Sequence, residues 1–450
     1  MSNRLLKNNW IALYRISRFE DWLLRRFTDT GQLVLGAAFV GALFGVDTRK
    51  TLGVQIFGFG LSLILIALIS SLRRPKDLTA TRHLPRYATV GVPVRYRVQL
   101  KNYVGRTAKT LVIQERPPDP RPNLETFLNS KAPWEHKINF LDRLSGYPRW
   151  RWLVHKGRYI EKGSAVNVPT LVAGGETIVE LEFTPCRRGP LILSGLEIRR
   201  MDPLGLCWQR KKLKSHDRLL VLPQRYSIPP QHLSGRRRLQ SGGVTLAATV
   251  GDSQEFIGLR DYRAGDSIRH IYWAAWARSG KAVVKEYQDE YFSRQALILD
   301  SFVPPEREED FEIAVSVAAS FVEPLTGGDA LLDLMFVADH AYTLTGGRGV
   351  MSTNALLEAL ACVKPQIGNF AILSQAILAH APLLSAGIGI FLTWEAPQHE
   401  LVHRLRVLGI PLTIFIVGGP LQFEYGPMAD QPQHLHRLEP QNIAAELMAL

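Results

Sequence analysis

The sequence predicts three modules in series: an N-terminal two-helix transmembrane hairpin, an all-β sandwich, and an α/β domain with a parallel sheet covered on both faces. Three patterns carry this expectation. Two charge-free apolar runs lie at 31–46 and 52–72, apolar and polar residues alternate strictly over 92–100, and from Ala296 onward short apolar runs alternate with segments of helical length and period.

The first 27 residues read as an amphipathic helix. Leu6, Trp10, Leu13, Phe19, Leu23 and Leu24 are apolar, and Lys7, Arg15, Arg18, Arg25 and Arg26 are basic, so the segment is expected to lie in a membrane interface. The hairpin follows at 28–73, its two runs separated by Asp47-Thr48-Arg49-Lys50. The second run is long enough to span a bilayer, whereas the first has sixteen residues and needs its flanks. Six basic residues precede the hairpin and five lie between Arg73 and Arg86, against two in the connecting loop. By the positive-inside rule both ends are expected to be cytoplasmic, with the loop outside, as in a two-pass membrane component. Gly41 and Gly45 form a GxxxG pair suited to close helix approach, within the hairpin or between copies in a homo-oligomer.

The net charge of +13 is partly clustered at the ends of the apolar runs. Membrane lipid accounts for it there, so nucleic acid is not the expected partner. Cys186, Cys207 and Cys362 are odd in number and lack CxxC spacing, which suits a reducing compartment.

Between 77 and 226 the period is two. Val92, Val94, Tyr96, Val98 and Leu100 alternate with polar residues, and further strands are expected at 111–113, 179–183, 191–193, 196–198 and 219–222, giving a small sandwich. The Pro-rich interval 117–122 and the aromatic, basic run 147–159 read as a long insertion with surface contacts. Arg236-Arg237-Arg238 lies in a loop-like stretch, 234–251.

The densest stretch is 254–286, within a linker region of 227–295. Asp266 is a good N-cap for a helix from Ser267, and Gly280 is its natural stop. Ile268, Tyr272 and Trp276 would form one apolar face, with Arg269 four residues before Trp273 and able to cover its ring. After the stop, 281–287 alternates as a strand. In the final module, 296–450, strands are expected at 296–300, 331–337, 387–393 and 410–417, with helices at 310–322, 353–362, 371–380 and 400–408.

Two sets of residues resemble the signature of a bacterial family known as domain of unknown function 58. The first comprises Glu255, Phe256, Leu259, Arg260, Tyr262, Gly265, Asp266, Arg269, Trp273, Ala277 and Arg278, followed by a strand ending in Asp300. The second is Arg188-Gly189 and, thirteen residues past that glycine, Asp202-Pro203-Leu204-Gly205-Leu206. The resemblance extends over roughly 30–395. It implies that the α/β module is von Willebrand factor A-like, a Rossmann-type parallel sheet, and that the protein works with a MoxR-type AAA+ ATPase as an adaptor or substrate-presenting surface. By the same resemblance, the 254–281 segment supports the two domains against each other or forms the partner surface; a purely internal lock is the plain alternative.

Von Willebrand factor A domains often hold Mg²⁺ or Ca²⁺ in an Asp-x-Ser-x-Ser loop. The equivalent here reads Asp300-Ser301-Phe302-Val303-Pro304; Phe302 and Pro304 stand at the serine positions, and the later position reads Thr393-Trp394-Glu395. Only a degenerate cation site is expected. His399-Glu400-Leu401-Val402-His403 matches HExxH, the zinc peptidase pattern. Pro397 where such a helix should already run, Arg404 after the second histidine and the lack of a spaced third ligand all count against it. Gly346-Gly347-Arg348-Gly349 lacks the Lys-Ser/Thr of a phosphate loop and reads as a turn. The expectation is therefore a non-enzymatic binding and assembly protein without a cofactor. A divalent-cation-dependent ligand binder and a zinc peptidase are the alternatives.

Overall fold

In the computed structural model the described residues are 2–44, 51–72, 78–103, 107–161, 163–213, 215–229, 255–264, 266, 268, 271–288, 293–303, 307–326, 330–347, 350–418 and 424–450. The connecting loop 47–50, Arg73 and Arg74, the Arg236-Arg237-Arg238 cluster, Gly45, Gly265, Arg269 and Pro304 lie outside them. The fold is mixed α/β. It divides into one unit of Met1–Gln224 with Leu360–Cys362 and a second of Arg225–Ala359 with Val363–Leu450.

The first unit opens with α1 (Ser2–Arg26), α2 (Asp29–Phe44) and α3 (Thr51–Ser70). Within α3, Leu52–Ser70 is long and apolar enough to cross a membrane, with mean hydropathy 2.4. Helix α2 is apolar but has only 16 residues, so the two-pass hairpin expected from sequence is reduced to one clear candidate span. Small residues let the two helices approach: a Cβ on Gly60 would come within 2.9 Å of the Ala38 methyl, and one on Gly41 within 3.0 Å of the Phe57 amide. Gly41 thus faces α3 of its own chain.

The amphipathic helix α1 departs from expectation. One of its apolar faces is covered by protein: Leu6 packs with Phe127 of α4 (Leu124–Asn129) and with Trp150 and Leu153 of α6 (Tyr147–Lys156), flanked by Trp10, Leu13 and Tyr14. The Trp10 indole donates to the Pro122 carbonyl at 3.2 Å. The insertion is therefore largely helical, with α5 (Phe140–Ser145) between its partners, and it takes part of the surface that sequence assigned to lipid. Arg149, buried, pairs with Glu135 and donates to the Phe127 carbonyl, so the cluster has a satisfied polar centre. Ile16, Phe19 and Leu24 on other faces remain exposed.

Ten strands follow. An antiparallel sheet is ordered β1 (Leu78–His83), β3 (Val94–Asn102), β6 (Glu176–Phe183). A second is ordered β5 (Val166–Val168), β4 (Leu111–Glu115), β8 (Leu196–Met201), β9 (Trp208–Leu213), and a third β2 (Tyr87–Thr89), β10 (Asp217–Leu222), β7 (Gly189–Leu193). They share one core, in which Val94, Tyr96, Val98 and Leu100 point inward as the alternation predicts, against Leu111, Ile113, Leu196 and Ile198. Val92, the first of that run, precedes the strand and is exposed. Strands β1 and β9 escape the sequence reading because they carry charge. In β1 the buried Arg82 forks onto Glu115 at 2.7 and 3.2 Å, and Glu115 also accepts from the Tyr96 hydroxyl at 2.6 Å. Burial pushes both the Glu115 carboxyl and the Tyr96 hydroxyl above their ordinary ranges.

In the second unit β11 (Glu255–Asp261) and β12 (Val283–Gln288) pair antiparallel and enclose α7 (Trp273–Ser279). The main sheet then has the order β15-β14-β13-β16-β17-β18, from β13 (Arg294–Leu299), β14 (Leu331–Val337), β15 (Ala341–Gly346), β16 (Ala386–Phe391), β17 (Leu412–Val417) and β18 (Leu435–Leu438). All neighbours are parallel except the β14–β15 hairpin. Strands β16 and β17 are buried along their whole length, as an apolar run with helices on both faces requires. Ile414 and Ile416 meet α10 (Ala371–His380) and α11 (Ala396–Val407) residues Leu373, Ile377, Leu401 and Leu405. Phe415, pointing the other way, meets Phe321 of α8 (Glu308–Thr326) at 5.1 Å between ring centres. Helix α11 begins earlier than sequence predicts: Glu395 caps it and Pro397 falls in the first turn, where a missing N–H costs nothing.

Candidate functional site

The strand order reverses at β13, with β14 on one side and β16 on the other, so the carboxyl ends of β13 and β16 border the crevice where such sheets bind ligands. Asp300 follows β13 there and is 1% exposed. One carboxylate oxygen accepts from the Phe302 N–H at 2.9 Å; the other has only the Gln398 amide at 3.5 Å. Burial outweighs these contacts and lifts the Asp300 carboxyl to about 6. Gln398 in turn donates to Thr393 Oγ1 at 2.9 Å. The same edge already holds a cation: Arg307 donates to Asp310 at 2.8 Å, to the Val417 carbonyl at 2.9 Å and to the Leu392 carbonyl. Phe302 lies against Gly368, so the loop after β13 turns a ring, and no hydroxyl, toward its neighbour. Asp300 is thus a single buried carboxylate beside a guanidinium, a poor donor set for Mg²⁺ or Ca²⁺.

The HELVH residues sit on α11. Glu400, the base in a peptidase reading, pairs instead with Arg404 at 2.6 Å. The His399 ring packs edge-on against Trp394, 4.7 Å between centres, and touches the backbone at Gly426, while His403 is exposed. Among the described residues no group of three or more His, Cys, Asp or Glu side chains could hold a metal.

The downstream signature builds a braced hairpin. Arg260, on β11, donates through both terminal nitrogens to Asp266 at 2.8 Å each, and the Arg263 N–H donates to the same carboxylate at 2.8 Å. These donors hold the Asp266 carboxyl down to about 2. Ser267, where sequence starts a helix capped by Asp266, lies outside the described residues. Ile271 bridges to Val284 and the Tyr272 N–H donates to the Val283 carbonyl at 2.8 Å, and α7 starts at Trp273. Gly280 does end the helix, at φ 66 with its N–H on the Trp276 carbonyl.

Exposure reverses the expected core face. Trp273 is 58% and Ile268 68% exposed, and Trp276 and Tyr272 are exposed as well. The two indoles stack at 5.3 Å and 15°, Lys285 lies over the Tyr272 ring at 5.0 Å, and Arg278 is exposed. Tyr262 is half exposed, its N–H on the Ala282 carbonyl at 2.9 Å. Glu255 and Phe256 open β11, opposite Gln288 and Tyr287.

The upstream signature does something different. Gly189, at φ 102, opens β7 directly after Arg188. Asp202, 4% exposed, accepts from the Leu204 N–H at 3.1 Å and the Cys207 N–H at 2.5 Å, which closes a turn through Pro203 with Gly205 at φ 70. The far side of that turn carries the start of α2: the Thr28 hydroxyl donates to the Gly205 carbonyl at 2.6 Å, the Thr28 N–H donates to the Leu206 carbonyl at 3.0 Å, and Thr28 Oγ1 accepts from the Gly31 N–H at 3.0 Å. Phe27, Leu206, Cys207, Ile64 and Ala67 pack together there. A Cβ on Gly31 would run into the Leu206 carbonyl, so glycine is required. Thr28, Gly31, Arg307 and Gln398 all escape sequence reasoning, because each acts through a contact distant in the chain.

Residues 258–381 match the model of a family described as "Protein of unknown function DUF58", which supports the resemblance over this segment. The matched stretch includes the braced hairpin from Gly258 and the first strands of the main sheet; Asp202 and its turn lie outside it. Proximal thread matrix protein 1 from the mussel byssus is similar at 15% identity and a TM-score of 0.27, over 35% of this chain and 45% of that one. A second structure of the mussel protein, with a zinc occupied MIDAS motif, gives 14% and 0.26 over the same shares. Red sea bream transglutaminase gives 15% and 0.16 over 33% of this chain and 15% of its own. The chain thus spans less than half of either. No curated protein matches.

Proposed function

We propose that the protein is a non-enzymatic, membrane-anchored adaptor that presents the α7 surface to another protein, a MoxR-type AAA+ ATPase by the family resemblance. The observation that carries this reading is the stacked, exposed Trp273–Trp276 pair on a hairpin whose turn is held by Arg260 and Asp266. Large aromatics on a rigid support lose little entropy on contact and are the commonest interface anchors. The sheet order and the position of Asp300 at the switch point support a von Willebrand factor A-like reading of the second unit. Anchorage is through α3, with α2 as a second pass and both ends cytoplasmic, an assignment supported by the basic flanks in the sequence.

A tagged chain is solubilised from membranes and its partners are captured. Recovery of an AAA+ ATPase with the native chain, and its loss with Trp273→Ala/Trp276→Ala, is the expected result; capture of no ATPase by the native chain overturns the adaptor reading. The cation-binding and zinc-peptidase alternatives draw less support, given Arg307 beside Asp300 and Arg404 on Glu400.

A further inference from the structure

The first unit contains a cavity of about 360 Å³ that none of the signatures touches. It is walled by α1, by the start of the helical insertion and by the sheet edge at β8 and β9. Its lining includes Arg18, Arg25, Arg116, Arg121, Arg210 and Lys212. Three carboxylates, Asp21, Asp119 and Glu197, also line it, which leaves a surplus of three positive charges.

The carboxylates of Asp119 and Asp21 are already committed, and Glu197 is engaged through one oxygen, the other being buried without a hydrogen-bond partner. Asp119 takes two bonds from Arg121 at 2.8 Å, Asp21 lies 3.4 Å from both Arg25 and Arg121, and Glu197 lies 3.2 Å from Arg210. No carboxylate among the described residues forms an ion pair with Arg18, Arg116 or Lys212. Arg121 is held from below by the Tyr14 ring, 5.5 Å from its guanidinium carbon, yet its remaining terminal nitrogen, Nη1, is buried with no acceptor. A buried donor left without a partner is rare and costly. Burial and mutual repulsion push Arg210 and Lys212 below their ordinary values, with Arg25 acting on both and Arg116 on Lys212. An anion in the cavity would relieve each of these.

The cavity also has a fixed height. Arg26, next to Arg25, donates to the Ser71 hydroxyl at 2.5 Å, and Gln209, next to Arg210, donates to the Ser70 carbonyl at 3.1 Å. Two of its walls are therefore tied to the end of the candidate span, where headgroup phosphates lie if α3 crosses a bilayer. Trp22, also lining the cavity, is a side chain favoured at that depth.

We propose that this cavity is a binding site for a phosphate group, with Arg121 as the half-buried anchor and Arg18, Arg116 and Lys212 as its peripheral cations. Arginine forks and lysine point charges are the natural receivers of phosphate oxygens, and a concave site with surplus positive charge concentrates the counter-ion. The phosphate can come from a bilayer phospholipid or from a soluble phosphomonoester. The inference is independent of the adaptor reading, because it uses no residue of the second unit.

The full chain is purified in neutral detergent and titrated with dioleoylphosphatidylglycerol, dioleoylphosphatidylcholine, sn-glycerol 3-phosphate and inorganic phosphate. Native mass spectrometry counts the bound molecules, and thermal melting reports stabilisation. The test variant is Arg18→Gln/Lys212→Gln, two exposed side chains whose loss leaves the Arg121–Asp119 pair intact. The control, Arg4→Gln/Lys7→Gln, removes the same charge from exposed positions of α1 away from the cavity. The expected result is one phosphate-bearing molecule per chain, bound roughly tenfold or more weakly by the test variant and unchanged by the control. Saturation by phosphatidylglycerol alone assigns the source to lipid; equal competition by glycerol 3-phosphate or phosphate assigns it to a soluble ligand. Binding that falls equally in test and control variants, or no stoichiometric binding of any of the four probes, overturns the proposal.

Discussion

The two signature aspartates share one piece of chemistry and differ in everything around it. Asp202 and Asp266 each fold a short turn by accepting backbone N–H groups from within a few residues. Asp202 does so at 4% exposure, under the residues that hold the base of α2. Asp266 does so at the surface, with a guanidinium rather than packing as its second support, and the chain beyond it displays aromatics. The difference teaches that one signature fastens the base of α2 to the β unit, whereas the other braces a turn at the surface. Asp300 is the intermediate case, a turn-forming carboxylate that is buried and yet lacks a strong partner.

The sharpest break in this comparison is at the upstream turn. Asp202→Ala removes two charge-assisted bonds and leaves two N–H groups orphaned, so it is expected to cost about 3 kcal/mol or more. Gly31→Ala forces the same contact apart and is expected to cost about 1–3 kcal/mol. Thermal unfolding in detergent measures both; a loss below about 0.5 kcal/mol for Asp202→Ala would remove the fastening role.

Asp300 comes next, and its sign is opposite. Its folded-state value near 6 exceeds the ordinary 3.8, so its favourable contribution is complete below about pH 4 and is lost as pH rises through 6. Asp300→Asn is therefore expected to stabilise at pH 8 by roughly 2–3 kcal/mol relative to its effect at pH 4. Destabilisation at pH 8 that added Mg²⁺ accounts for would instead revive the cation site.

A smaller effect is expected at Asp266. Its folded value, about 2, lies below the ordinary 3.8, so its contribution is present above pH 4 and disappears as pH falls toward 2. Asp266→Asn should therefore lower stability at neutral pH and have little effect near pH 2, which flattens the acid limb of the stability curve. A loss at pH 7 as large as that of Asp202→Ala would place Asp266 with Asp202 as a structural post.

Last in stability, though not in function, is Trp273→Ala/Trp276→Ala. Both side chains are exposed, so unfolding is expected to shift by less than about 0.5 kcal/mol while partner capture falls. A marked loss of stability with normal capture would reduce the hairpin to an internal lock.

Much of this architecture is legible in local pattern. Val94, Tyr96, Val98 and Leu100 alternate and face one core, and the apolar runs around Leu297, Ile388 and Ile414 are buried on both faces. What resists reading is charge placed inside: β1 carries Arg82 into the core because Glu115 lies opposite it, 33 positions away, and no window of sequence contains that pair. The α7 boundary is missed for the same reason, since Asp266 is claimed by Arg260 and Ile271 by Val284. At the candidate site, the signature residues are legible as a set but not as to which are buried.

By itself the sequence determined the order of the modules, the apolar run of α3 and the period of the strands, because these follow from hydrophobic spacing along a few consecutive residues. Tertiary structure alone decided that α1 shares its apolar face with the insertion, that the tryptophans stand in solvent, and that six cations converge on one cavity. Those outcomes depend on which distant side chain reaches a group first, and burial and charge act through space rather than along the chain.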